Sequence, residues 1–228
     1  LTVMSLYFND NTKNTFVLVD KDWDLDLKGD ILYPDLIEVK GGEINDDLSD
    51  FKNKNKDLLK SRADILRKAE EPTSDNDSLM VKDYVVELKN INFELANVAE
   101  NYIKSQPEKI SSVMLLNTFF KNEASISRLD ECLNMLSGKA VDFPVTEDLK
   151  AFRDKVKQSA VGSYAPQFSS KNLKGEQVQL SEFRGKYVLL TFAATTCGVC
   201  REEKKDAVAI YNKLKKDKKD IEFITIIK

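Results

Sequence analysis

Between residues 15 and 39 the chain reads TFVLVDKDWDLDLKGDILYPDLIEV, in which Trp23, Leu25 and Leu27 alternate with Asp22, Asp24, Asp26 and Lys28. A period of two places the apolar set on one face and predicts a half-buried antiparallel strand. Lys28-Gly29-Asp30 and Tyr33-Pro34-Asp35 read as turns and Gly41-Gly42 closes the run, so residues 1–42 are expected to be the end of a small β-domain. Beyond Gly42 the period lengthens. Leu48, Phe51, Leu58, Leu59, Ile65, Leu66 and Ala69 recur three, four and seven apart among polar residues, which predicts one amphipathic helix over residues 45–70. Pro72 and the TSDNDS stretch are expected to break it.

A second stripe, Met80, Tyr84, Val85, Leu88, Ile91, Leu95, Val98, Ala99, Tyr102 and Ile103, predicts another long helix. After Pro107 the density of Ile110, Val113, Met114, Leu115, Leu116, Phe119 and Phe120 predicts an element buried on most sides. A short helix over 126–136 ends at Gly138, and Thr146 is the expected N-cap of one more, which carries Leu149, Phe152 and Val156 and ends near Ser159. Cys132 falls on an inward position beside Leu129, Leu133 and Leu136, where a thiol acts as a small hydrophobe. These stripes read as core, and residues 43–160 as an α-helical domain.

From residue 161 the pattern changes again. Residues 172–177 form the expected turn between two short strands, and residues 181–186 a helical turn. YVLLTFA, residues 187–193, is a continuous apolar run, as expected for a central strand buried on both faces. TTCGVC follows it, then a helix with Val208, Ile210, Tyr211 and Leu214, then a second apolar strand over 221–227. Strand, CxxC, helix and strand, closed by a right-handed crossover, predict parallel strands in an α/β sheet with chemistry at the carboxyl end of the first. The fold class is therefore α/β together with α+β.

Composition narrows the chemistry. A 228-residue chain with 42% apolar residues can build two ordinary domains. Its formal charge is −3 with the signs interspersed, so it has no basic face for nucleic acid. No run approaches the roughly 20 apolar residues of a membrane-spanning helix. Three cysteines argue against a disulfide framework, and the absence of histidine removes Ser-His-Asp and Cys-His catalysis. A zinc clip needs four ligands, and Cys197 and Cys200 have only Cys132 besides.

Ala165-Pro166-Gln167-Phe168, the Gly175 turn, the run from Leu180-Ser181-Glu182-Phe183-Arg184-Gly185-Lys186 into Tyr187-Val188-Leu189-Leu190, and Phe192-Ala193 leading to Cys197-Gly198-Val199-Cys200-Arg201 resemble the TlpA/ResA-like thiol-disulfide oxidoreductases of the thioredoxin superfamily, relatives of the AhpC/TSA proteins. Val39-Lys40-Gly41-Gly42-Glu43-Ile44-Asn45-Asp46 followed by long helices is similar to the N-terminal part of Bacteroides-type envelope proteins that carry a TlpA-like module. The resemblance implies a thioredoxin-like domain over residues 161–228 that corresponds to the N-terminal half of that fold; the second half, with the cis-proline loop that faces the cysteines, is not among these residues. It also implies a periplasmic or cell-envelope location, with a lipid anchor among the expected features; the residues from Leu1 onward show no signal peptide, and any such segment is expected to have been removed.

The same resemblance implies Cys197 and Cys200 as the catalytic dithiol, with neither cofactor nor metal. Protein or small-molecule disulfides and thiols are the implied partners, with a membrane or periplasmic electron donor. At the start of a helix the first sulfur lies over free N–H groups that favour its thiolate, and two intervening residues bring the second within one turn. Cys197 is then the nucleophile and Cys200 the resolving thiol. Thr196 and Val199 replace the tryptophan and proline usual in the family, and Lys204 and Lys205 stand where a proline often kinks the following helix. Two alternatives remain. One is a peroxiredoxin-like peroxidase, for which Ala194 and Leu190 occupy the places of the expected Thr and Pro. The other is a non-catalytic envelope interaction or redox-sensing module.

Overall fold

The structure, a computed structural model, describes residues 1–8, 13–70, 78–121, 126–195, 198–217 and 219–227. The Pro72 and TSDNDS break lies outside the described residues. The chain divides into two compact units, Leu1–Ser163 and Tyr164–Lys228. The mixture of α/β and α+β elements expected from the sequence is present.

The first unit opens with two antiparallel hairpins. β1 (Thr2–Phe8) pairs with β2 (Lys13–Val19), and β3 (Asp26–Lys28) with β4 (Glu38–Lys40). The strand expected through Trp23 shrinks to β3, because only Asp26, Leu27 and Lys28 have a partner in register. Pro34–Leu36 forms a 3-10 turn, as a proline with fixed φ allows at its start. Gly41 and Gly42 have φ of 107° and 84°, and a Cβ on Gly42 would lie 2.4 Å from the Trp23 ring. Glycine is therefore required where β4 turns into the first helix.

The helix expected over 45–70 is two helices, α1 (Glu43–Lys54) and α2 (Lys56–Glu70). Asn55 ends the first: its backbone N–H reaches the Phe51 and Lys52 carbonyls, and its Nδ2 donates to the Phe51 carbonyl at 2.8 Å. A side chain that satisfies terminal carbonyls lets the axis break without a proline. α3 (Ser78–Ser105), α4 (Ile110–Phe119), α5 (Ile126–Met135) and α6 (Pro144–Gln158) complete the unit. The stripe on α3 is buried at Leu95, Ala99 and Ile103 and emerges at Val85. Thr146 is not the cap of α6. Pro144 starts that helix, and Thr146, buried within its first turn, donates its hydroxyl to the Ala140 carbonyl at 2.7 Å.

Leu18 of β2 lies in one core with Leu48, Leu95, Leu116, Leu129 and Leu149 from the helices. Two side chains one turn apart on α1 join the hairpins to that core. Asn45 Oδ1 accepts from the Leu18 N–H at 3.0 Å, and its Nδ2 donates to the Leu18 carbonyl at 2.7 Å and to the Gly41 carbonyl at 2.9 Å. Ser49 Oγ accepts from the Val39 N–H at 2.9 Å and donates to the Val39 carbonyl at 2.8 Å. Both side chains supply the pairing that a further strand would have given the backbone of β2 and β4.

In the second unit, β5 (Ser169–Lys171) and β6 (Gln177–Gln179) form a short hairpin. β7 (Tyr187–Ala193) and β8 (Ile221–Ile227) pair in parallel, with Tyr187 opposite Ile221 and Ala193 opposite Ile227, and α7 (Gly198–Lys216) connects them. β7 is not buried on both faces: Tyr187 is 81% and Phe192 72% exposed. Two strands and one helix supply too little apolar area to cover both sides of a parallel pair.

Candidate functional site

The apolar run of β7 carries the chain to Ala193, and α7 begins at Gly198, so Cys200 sits in the first turn of the helix that follows the strand. Cys200, partly buried, is the third residue of α7. It is disulfide-bonded, whereas Cys132 in the first unit is a free, buried thiol. Thr196 and Cys197 lie outside the described residues.

The helix that holds Cys200 is fastened to the strands at its far end. Glu222 on β8 accepts from the Tyr211 hydroxyl at 2.9 Å, from Lys215 Nζ at 2.9 Å and from Lys186 Nζ at 3.0 Å. Those hydrogen bonds, led by the one from Lys215, hold the Glu222 carboxyl down to about 2. The Tyr211 ring also packs on Phe223 with centroids 5.2 Å apart. Between the strands, the Thr191 and Thr225 hydroxyls meet at 2.9 Å. One carboxylate thus ties α7, β8 and the residue before β7 together, which fixes where the helix start lies over the strand ends.

A cavity of about 320 Å³ opens at the carboxyl ends of β7 and β8, with Cys200 in its wall. Phe192, Ala193 and Ile227 make it apolar on the strand side, and Glu203 and Lys204 bring charge from α7. Neither charged residue stood out as a site residue in the sequence. The signal was available, because positions three and four after Cys200 share its side of a helix. α7 continues without interruption through Lys204 and Lys205, where no proline displaces a backbone hydrogen bond. Among the described residues no group of three or more Cys, Asp or Glu converges as metal ligands.

Residues 161–227 match the model of the AhpC/TSA family. A 94-residue stretch is 33% identical to the thiol-disulfide oxidoreductase ResA of Bacillus cereus, covering 41% of this chain and 51% of that protein. A 44-residue stretch is 50% identical to ResA of Geobacillus kaustophilus, over 19% of this chain and 25% of that one. The thioredoxin-like protein YneN of Bacillus subtilis is 52% identical over 42 residues, 18% of this chain and 25% of its own. The chain thus spans between a quarter and a half of the length of these relatives. No solved structure gives a significant match. With its β7–α7–β8 crossover, its cysteine at the helix start and these likenesses, the segment 161–227 is a thioredoxin-superfamily segment of the TlpA/ResA-like type.

Proposed function

We propose that the protein is a thiol-disulfide oxidoreductase that exchanges disulfides with envelope proteins through Cys197 and Cys200. The observation that carries this reading is the state of the cysteines: Cys200, in the wall of an open cavity, is disulfide-bonded, and Cys132 is free. The sequence holds one other cysteine, Cys197.

In the reductive direction the Cys197 thiolate attacks one sulfur of a substrate disulfide. The S–S bond breaks, one substrate thiolate leaves, and a mixed disulfide remains. The Cys200 thiolate then attacks Cys197, releases the second substrate thiolate and closes the intramolecular disulfide. Two electrons pass from the dithiol to the substrate, and a dithiol donor restores the enzyme. The apolar wall at Phe192 and Ile227 suits an extended or unfolded protein segment around a cystine.

Turnover of insulin disulfides with dithiothreitol as donor is the direct assay. Cys197→Ser should reduce it to the uncatalysed rate, and Cys200→Ser should trap the mixed disulfide, visible by mass. Full activity in Cys197→Ser would sink the assignment. Because the family match is to AhpC/TSA, hydroperoxide turnover should be measured alongside; Ala194 in place of a threonine three residues before Cys197 argues for none. For the envelope location, the support is the likeness of residues 39–46 and the helices after them to envelope proteins. No helix among the described residues is long and apolar enough to cross a membrane.

A further inference from the structure

The first unit holds a cavity of about 250 Å³ that the dithiol chemistry does not use. Its floor is apolar: Leu48 and Phe51 of α1, Leu59 of α2, and Leu115 and Phe119 of α4 front onto it, each no more than 7% exposed. Lys52, next to Phe51, brings a cation to the wall. Its Nζ donates to the Ile37 carbonyl at 3.0 Å and lies 5.9 Å from the centroid of the Phe16 ring.

An ammonium carries three N–H donors, and the Ile37 carbonyl takes one. Among the described residues no carboxylate lies within ion-pair distance of Lys52. The acid on the same wall, Asp35, is 3.3 Å from Arg62 Nη1, and Arg62 Nε donates to Asn92 at 2.9 Å. Burial pushes the Lys52 ammonium below the usual lysine value, with Asp35 opposing from a distance. A cation short of acceptors therefore stands at the edge of a chamber whose floor is apolar and whose rim also carries Asn14, Asn117, Thr118 and the Asp35–Arg62 pair. A carboxylate supplies what the cation lacks, and a hydrocarbon body what the floor lacks.

We propose that this cavity is a binding site for a small amphipathic monocarboxylate, with Lys52 holding the carboxylate and the five apolar side chains seating the hydrocarbon. The space equals that of about eight waters at roughly 30 Å³ each. A chain of about that many carbons fills it.

The probe is octanoate, with octan-1-ol as its uncharged counterpart, titrated into the full 228-residue chain carrying 13C-methyl leucines. Octanoate should saturate and shift the methyls of Leu48, Leu59 and Leu115. Octan-1-ol should bind at least about tenfold more weakly, the scale of one hydrogen bond to a charged group. Lys52→Gln should bring octanoate down to the level of the alcohol. Absence of saturable octanoate binding up to millimolar concentration, equal binding of acid and alcohol, or shifts confined to other leucines would each overturn the proposal. Should Lys52→Gln fail to fold, the comparison of acid with alcohol on the native sequence decides by itself.

Discussion

Replacing Asn45 by alanine removes the side chain that joins β2 to α1. Three hydrogen bonds go at once, two with Leu18 and one with Gly41. The two groups at Leu18 matter most, because Leu18 is fully buried and water does not reach its N–H or carbonyl. The Gly41 carbonyl belongs to a half-exposed turn and finds solvent instead. A buried backbone group left without a partner costs about 1–3 kcal/mol, so two such groups put the loss at about 3 kcal/mol, discounted for relaxation of the hairpin. On a unit of this size that corresponds to a fall in melting temperature of roughly 6–12 °C. Urea unfolding followed through Trp23 is the assay, since this sole tryptophan packs on Gly42 at the same junction. Asn45→Asp is the informative companion: it keeps an acceptor for the Leu18 N–H but loses both donors and buries a charge, so it should be no better than alanine. A loss under about 1 kcal/mol for Asn45→Ala would refute the reasoning, because the orphaned Leu18 groups would then have found other partners.

Two further outcomes follow from ionisable groups. Glu222 has its carboxyl lowered in the folded state, so its contribution is complete above the ordinary carboxylate value of 4.5 and is lost as pH falls from there toward about 2. Glu222→Gln should cost about 1 kcal/mol at neutral pH after solvent screening, and its difference from the parent should vanish across that acid window in urea titrations resolved at β7 and β8 amides; a difference independent of pH would contradict it. Burial pushes the Cys132 thiol up to about 11. In the native protein at pH 8, iodoacetamide should therefore modify Cys132 at least about 100-fold more slowly than free cysteine, with full labelling only in denaturant; labelling at the free-cysteine rate would show that the thiol is not buried.

The strand-turn-helix-strand order around Cys200 was legible in the sequence for a local reason. Apolar runs at 187–193 and 221–227, a polar helix between them and the CxxC at the junction each carry their own signal, and β7, α7 and β8 occur at those places. The inward position of Cys132 was equally local, fixed by its spacing from Leu129 and Leu133, and it is 1% exposed. The break at Asn55 was hidden because the apolar stripe runs on through it, while the residue that ends α1 acts through an amide hydrogen bond that no periodicity records. Thr146 misled for a related reason: a hydroxyl before Glu147 and Asp148 has the composition of a cap, but the Ala140 carbonyl, six residues back, takes its proton. β7 has the residues of a doubly covered strand, and its exposure at Tyr187 and Phe192 depends on what packs over it.

By itself the sequence determined the elements whose cause lies within a few residues: the periods of strand and helix, the glycine turn at 41–42, and the start of a helix with Cys200 in its first turn after an apolar strand. Only the tertiary structure decided what depends on partners distant along the chain. Asn45 meets Leu18 across 27 residues and Ser49 meets Val39 across 10, pairings that let a helix serve as the missing neighbour of two strands. Glu222 gathers Lys186, Tyr211 and Lys215, and Lys52 is left facing a chamber with an apolar floor because Asp35 is held by Arg62. Hydrogen-bond and charge complementarity act through space, so the side chains that complete a site or leave one open are chosen by the fold rather than by their neighbours in the chain.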